Sequence, residues 1–387
     1  MAKYIFILGR IPKISQAEIF SLLGQKNQIE IQGADFVLGN SSETPEKLIS
    51  SLGGTIKIAQ FLKNIDSLDQ LTADWWQNIM PQNTSKKINF AFSLYNDTPA
   101  NFAKIKKIAL SVKKNLSFKA SVRLVTGRQA QLSSVIVAKN KLLNNELIII
   151  RHQTKYLLGI TQAIQDFDRY SQRDIGRPER DDKSGLLPPK LAKIMINLAG
   201  PDRNKTLLDP FCGSGTVLQE AAILDFKKIY GTDISREAIV SCQKNLSWFN
   251  KQFKFKTQYQ LKQTTVEKLS QVIPRASIDL IVTEPFMGDS RQIKNTDDPK
   301  ILSNISQNLQ RLYLSAFTEF KKILRSGGQV IFIFPIFQLG QQPISTLNLS
   351  AIKKLGFVPK LILGADSFLI YSRPDQKVQR QITAWKI

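Results

Sequence analysis

The segment "LLDPFCGSGTVLQEA", Leu207 to Ala221, limits the folds open to this chain more than any other. Apolar residues run into Asp209, a loop carries Gly213 and Gly215, and a helical pattern follows at once. A buried strand that empties into a glycine loop and a helix brings backbone close to a ligand at the carboxyl end of a sheet, because glycine permits approaches that a Cβ blocks. Residues 186–387 keep the same alternation: strand "TLLDPF", helix "GTVLQEAAIL", strand "KIYGTDI", helix "REAIVSCQKNLSWF", strand "SIDLIVTEPF", helix "ISQNLQRLYLSAFTEFKKIL", strand "QVIFIFPIF". This pattern predicts a parallel α/β domain. Further on, "KLILGADSFLIYSR" holds a Gly-Ala-Asp turn and predicts a closing hairpin.

The loop also narrows the ligand. A dinucleotide fold wants a third glycine for close strand and helix packing, whereas Gly213 and Gly215 are followed by Thr216 and Val217. Asp209, ahead of the loop, disfavours a pyrophosphate and suits the positively charged amino group of S-adenosylmethionine. The next strand ends "YGTDIS", which puts Asp233 roughly 20 residues on, where a carboxylate takes ribose hydroxyls. The candidate cofactor set is Asp209, Phe211, Gly213, Gly215, Thr216, Asp233, Ile234 and, from "QTTVEKL" near the adenine, Thr265. Thr265 stands where a carboxylate would serve the adenine amino group. Cys212 lies in the loop with no base beside it and reads as a packing residue.

Ahead of this domain, two smaller blocks are expected. Residues 1–62 read as a small α+β unit, with a capping box at Ser15 and Glu18 and with Pro45 at a helix's first position. Residues 63–165 alternate strands with a basic helix, "FAKIKKIALSVKKNL", on which Ile105, Ile108, Val112 and Leu116 share a face and lysines occupy the others. Residues 166–185, rich in charge, Gly and Pro, form a connector to the domain of residues 186–387. The 54 Lys and Arg against 31 Asp and Glu leave a net +23, an excess that attracts polyanions and points to nucleic acid. Two cysteines and one histidine exclude a disulfide framework and a Cys/His zinc site. No run is long enough to span a bilayer, so a cytoplasmic protein is expected.

These stretches carry a resemblance. "LLDPFCGSGTVLQEAA", "YGTDIS", "DLIVTEPFMG", the upstream "SGLLPPKLAKIMINLAG" and the connector "YSQRDIGRPERD" resemble the THUMP-containing class I methyltransferases that methylate guanine N2 in tRNA. The resemblance implies a C-terminal Rossmann-like methyltransferase domain behind ferredoxin-like and THUMP-like domains. It also implies S-adenosylmethionine as cofactor, a tRNA substrate grasped by the front half, a base flipped into the catalytic pocket and, for some similar enzymes, a small activating protein partner.

"TEPF", Thr283 to Phe286, is the expected catalytic turn. An exocyclic amine on a base is a poor nucleophile, and acceptors aimed at its protons favour the pyramidal, positively charging nitrogen that attacks a methyl group. The family's usual turn is Asp or Asn, Pro, Pro, Tyr, and Thr283, Glu284, Pro285 and Phe286 are read here in those places. On that register Thr283 and Glu284 orient the amine, Pro285 fixes the turn, and Phe286 stacks on the extruded base. Two rival readings are an adenine N6 methyltransferase acting on DNA or rRNA, and a noncatalytic RNA-binding protein with a degenerate site. Arg291 and Lys294 beyond the turn, and Arg173, Asp174 and Arg177 in the connector, are read either as substrate contacts or as solvated and ion-paired groups.

Overall fold

In a computed structural model of the chain, the described residues are 1–23, 28–79, 87–116, 121–180, 187–339, 342–373 and 376–387. The last residues of the expected connector and the start of "SGLLPPK" lie outside them. The chain divides into two compact units, Met1–Pro12 with Gln25–Phe167, and Lys13–Gly24 with Asp168–Ile387.

The first unit holds β1 (Ala2–Leu8), then, after α1 (Pro12–Leu23), β2 (Ile29–Gln32), β3 (Phe36–Ser41), α2 (Pro45–Ser51), β4 (Thr55–Ile65), α3 (Ala73–Ile79), β5 (Lys87–Tyr95), α4 (Pro99–Leu116), β6 (Ser121–Leu124), α5 (Ser134–Lys139), β7 (Glu146–His152) and β8 (Lys155–Ile164). Its strands make one eight-stranded sheet, ordered β2-β3-β1-β4-β8-β7-β5-β6. The division expected near residue 62 falls inside β4, which pairs with β1 on one side and β8 on the other, so one sheet runs through both expected blocks. Thr44 caps α2 ahead of Pro45, as that proline foretold. On α4, Ile105, Ala109, Val112 and Leu116 are buried. Lys106, Lys107, Lys113, Lys114, Arg123 and Arg128 are exposed. Beneath the sheet a buried Lys57 pairs with Glu146 at 2.5 Å, and Ser93 and Thr161 donate to the same carboxylate. A buried ion pair survives only when its remaining lone pairs are filled in this way.

The capping box is not formed. Helix α1 begins at Pro12, so Ser15 and Glu18 lie within it and both are buried. Glu18 instead accepts a 2.7 Å hydrogen bond from Asn197. The local pattern was right for a cap, but apolar packing moved the start of the helix upstream.

Past α6 (Phe167–Asp174), the second unit runs α7 (Pro189–Leu198), β9 (Thr206–Asp209), α8 (Thr216–Ile223), β10 (Lys228–Asp233), α9 (Arg236–Phe253), β11 (Gln258–Gln263), α10 (Leu269–Val272), β12 (Ile278–Thr283), α11 (Ser290–Lys294), α12 (Pro299–Ile323), β13 (Leu324–Phe337), β14 (Ile344–Ser345), α13 (Leu349–Lys354), β15 (Val358–Pro359), β16 (Phe368–Tyr371) and β17 (Val378–Lys386). The sheet is ordered β11-β10-β9-β12-β13-β17-β15, parallel from β11 to β13 and antiparallel at β17. This is a Rossmann-like α/β fold. Buried strand segments such as "LIV" of β12 and "VIFIF" of β13 are apolar on both faces because helices cover both sides. An aromatic cluster of Phe317, Phe332, Phe334, Phe357 and Trp385 joins α12 to the sheet.

The expected closing hairpin takes another form. The Gly-Ala-Asp turn is present, with Leu363 bridged to Asp366, but β15 and β16 both pair with β17 rather than with each other. Strand β17 lies between them and β13. Its antiparallel run brings its first residues to the edge of the sheet where β12 ends.

Candidate active site

A cavity of about 910 Å³ opens in the second unit where β9, β10 and β12 end. The glycine loop forms one wall. Gly215 has φ 92° and caps α8, and a Cβ there would stand 2.7 Å from the Cys242 sulfur, so both its conformation and its close approach require glycine. Asp233 closes the loop from the neighbouring strand: Gly213 N–H donates to Oδ2 at 3.0 Å and Ser235 N–H to Oδ1 at 2.9 Å. Each oxygen keeps a lone pair for a ligand hydroxyl. Cys212 is buried and free, as a packing residue should be.

Asp209 sits at the cavity floor and is 2% exposed. Its Oδ1 accepts from the Thr283 hydroxyl at 2.6 Å and from Phe211 N–H at 3.2 Å. Burial drives its pKa up to about 7, helped by the charges of Asp233 and Glu284 and opposed by those two hydrogen bonds. Among the described residues no cation pairs with it. A buried carboxyl that faces a cavity and is paired with no cation suits a ligand that brings one, although Arg180 also lines the cavity.

The turn after β12 forms the opposite wall. Thr283 is fully buried and its hydroxyl is spent on Asp209, so it does not line the cavity. Glu284, Pro285, Phe286, Met287 and Gly288 do. The Glu284 carboxylate accepts from Arg380 Nε at 2.5 Å, with the two side chains 11% and 9% exposed. Tyr313, on α12, donates its hydroxyl to the Phe286 carbonyl at 2.8 Å. Gly288 has φ 93°, and a Cβ there would come within 2.9 Å of Ile293. Phe286 is 54% exposed at the mouth.

Of the candidate residues, Asp209, Phe211, Gly213, Thr216, Asp233, Ile234, Thr265, Glu284, Pro285 and Phe286 meet at this one cavity, while Gly215 shapes the loop from behind and Thr283 braces Asp209. In the connector, Arg173 is buried and paired with Glu220 at 2.7 Å, and Arg177 donates to Thr216 at 2.7 Å, so both serve the protein's interior. Arg291 and Lys294 are exposed. The reading of the sequence missed Arg380 and Tyr313. Tyr313 lay unremarked in a correctly read helix, and the only signal for Arg380 was the weak apolar alternation of "VQRQITAW".

Comparisons with known proteins agree with this fold. A family model described as RMKL-like, methyltransferase domain, matches residues 177–339, from the connector past the glycine loop and the turn after β12. A second, described as DNA methylase, matches residues 67–244, which takes in the loop and Asp233 but stops short of β12. A tRNA (guanine(10)-N2)-dimethyltransferase of Pyrococcus abyssi is 24% identical over 293 residues, 74% of this chain and 78% of that protein. One from Methanocaldococcus jannaschii is 28% identical over 177 residues, 46% of each chain. The crystal structure of TrmN from Thermus thermophilus superposes with a TM-score of 0.56 at 15% identity, covering 99% of both chains, a likeness of fold.

Proposed function

We propose that this chain is an S-adenosylmethionine-dependent RNA methyltransferase that methylates the exocyclic N2 of a guanosine in tRNA. The observation that carries the reading is the meeting, in one cavity, of a glycine loop closed by Asp233 and a turn that presents Glu284, Pro285 and Phe286. The residues present fit the cofactor: Asp209 lacks a countercharge that the cofactor's cationic end supplies, Asp233 has acceptors left for ribose hydroxyls, and Thr265 and Ile234 line the remaining wall. When bound, the cofactor supplies an electrophilic methyl group.

The acceptor pair for the amine is best assigned one residue later than the sequence reading placed it. Thr283 is buried and committed to Asp209, whereas Glu284 faces the cavity. Glu284 and the Pro285 carbonyl accept the amine's protons, and the carboxylate favours the charge that develops on nitrogen. Phe286 supplies the stacking face, worth roughly 1 to 3 kcal/mol. Tyr313 and Gly288 hold the turn in shape.

For RNA capture we take the first unit, whose exposed Lys106, Lys107, Lys113, Lys114, Arg123 and Arg128 form a basic surface suited to phosphates in the manner of a THUMP region. The relatives named as tRNA guanine N2 enzymes support the substrate. The DNA methylase match is the observation behind a second reading, adenine N6 methylation.

The test is to incubate the protein with unmodified tRNA and methyl-labelled cofactor, digest to nucleosides and identify the labelled product by mass spectrometry. Labelled N2-methylguanosine is expected. Labelled N6-methyladenosine would transfer the mechanism to the second reading. Cofactor binding without label would point to a required second protein or another RNA, and absence of both would leave an RNA-binding protein.

A further inference from the structure

The turn after β12 differs from a short-chain acidic turn in one respect that the structure explains. Glu284 has one methylene more than aspartate and therefore more rotamers to lose before it is of use. Something must fix it. Among the described residues its hydrogen-bond partner is Arg380, which reaches it from β17, far along the chain, through Nε at 2.5 Å. Arg380 is itself held: its backbone is paired between Pro335 of β13 and Tyr371 of β16, and its guanidinium lies 5.9 Å from the Tyr371 ring.

We propose that Arg380 is a positioning and specificity-determining residue, which fixes the Glu284 carboxylate with its second oxygen free for the substrate's amine. The proposal rests on the methyltransferase reading given above. The groups facing Glu284 are Arg380 from β17, Asp209 from β9 and Tyr313 from α12. Only Arg380 among them is cationic, and Asp209, when ionised, opposes the charge on Glu284. Without Arg380 the Glu284 side chain loses its hydrogen-bond partner and regains its rotamers. An acceptor that leaves its place no longer meets the amine's protons, so orientation is lost. The same fixed charge selects the base. Guanine's Watson–Crick edge offers N1–H and N2–H, two adjacent donors that the two lone pairs of the free oxygen can take, whereas adenine sets the N1 lone pair against it.

The test compares wild type with Arg380→Met, Arg380→Lys, Glu284→Gln and the Arg380→Met/Glu284→Gln double variant. Arg380→Met should lower kcat by about 100-fold, the scale for a misplaced catalytic group. Its KM for tRNA and its calorimetric cofactor affinity should stay within about 2-fold, since no binding contact is removed. Arg380→Lys should recover part of the rate, and in Arg380→Met the ratio of guanine to adenine methylation should fall. An unchanged kcat, or a loss that lysine restores no better than methionine with the guanine to adenine ratio unmoved, overturns the proposal. Should wild type neither methylate RNA nor bind the cofactor, the methyltransferase reading fails, and melting temperature then judges the pair: Arg380→Met must melt below the double variant. Simple additivity there would sink the pairing as well.

Discussion

The two walls of the cavity are built by different means. On the cofactor side, the glycine loop and Asp233 satisfy one another through backbone N–H groups within two adjacent βα units. On the opposite side, the turn after β12, where the proposed function puts the amine, is shaped by side chains from distant parts of the chain, Tyr313 on α12 and Arg380 on β17. The first wall is a local device and the second a tertiary one. Substitutions in the loop should therefore act first on cofactor binding and folding, and those of Glu284 and Arg380 first on transfer.

Asp209, which stands between the walls, gives the largest effect. Its pKa is raised to about 7 in the folded state, chiefly by burial. Between about pH 4 and pH 7 the folded protein holds a proton that the unfolded chain has lost, so this group's contribution falls as pH rises, and above about 7 its full cost is present. That cost is at most roughly 4 kcal/mol. Asp209→Asn keeps acceptors for Thr283 and Phe211, so it should raise the melting temperature at pH 8 and change it little at pH 4. It should also weaken the cofactor. In wild type, a cationic ligand favours the ionised form, so cofactor affinity should rise through pH 6 to 8 with proton release, which calorimetry in buffers of different ionisation enthalpy measures. Flat affinity and no proton release would remove Asp209 from the cofactor site.

Asp233→Ala should come next. It leaves the Gly213 and Ser235 N–H groups without their acceptor and removes the ribose contact, a loss of about 3 kcal/mol or more than 100-fold in cofactor affinity. Near-wild-type calorimetric affinity would break the assignment of this wall. Gly215→Ala adds left-handed strain of about 1 to 2 kcal/mol, and its Cβ would stand 2.7 Å from the Cys242 sulfur. A drop of several degrees in melting temperature is expected, and an unchanged melt would show that the loop yields.

The same contrast explains what could be read in the sequence. Strands β9, β10, β12 and β13 were legible because each is a largely apolar run between helical periods, whereas β11, "QYQLKQ", is mostly polar and exposed at the sheet edge; the loop announced itself by glycines at fixed offsets from Asp209. Strand β17 was not, since "VQRQITAWK" carries polar groups that the tertiary structure consumes: Arg380 on Glu284, Gln381 on Ser345 and Thr383 on the Phe332 carbonyl. Strand β2 escaped because four half-exposed residues at a sheet edge leave a faint pattern. The turn was found, but not which of its first two residues faces the cavity. Thr283 and Glu284 are adjacent polar residues at a strand end, and only the alternation of the strand decides which enters the core.

That register yields the smallest and most discriminating effect. Thr283→Val is nearly isosteric and removes one hydroxyl, the donor that helps keep Asp209 ionised at 2.6 Å. If Thr283 were the amine's acceptor, the substitution would lower kcat as severely as Glu284→Gln does. With the hydroxyl turned to Asp209 instead, kcat at pH 8.5 should stay within about 3-fold of wild type, a change below 1 kcal/mol. The loss of that donor pushes Asp209 further toward its neutral form. The rise of cofactor affinity with pH should then begin at a higher pH than in wild type. A Thr283→Val enzyme that lost transfer at every pH while binding cofactor normally would return the amine to Thr283. It would also require that the turn after β12 shift by one residue when RNA is bound.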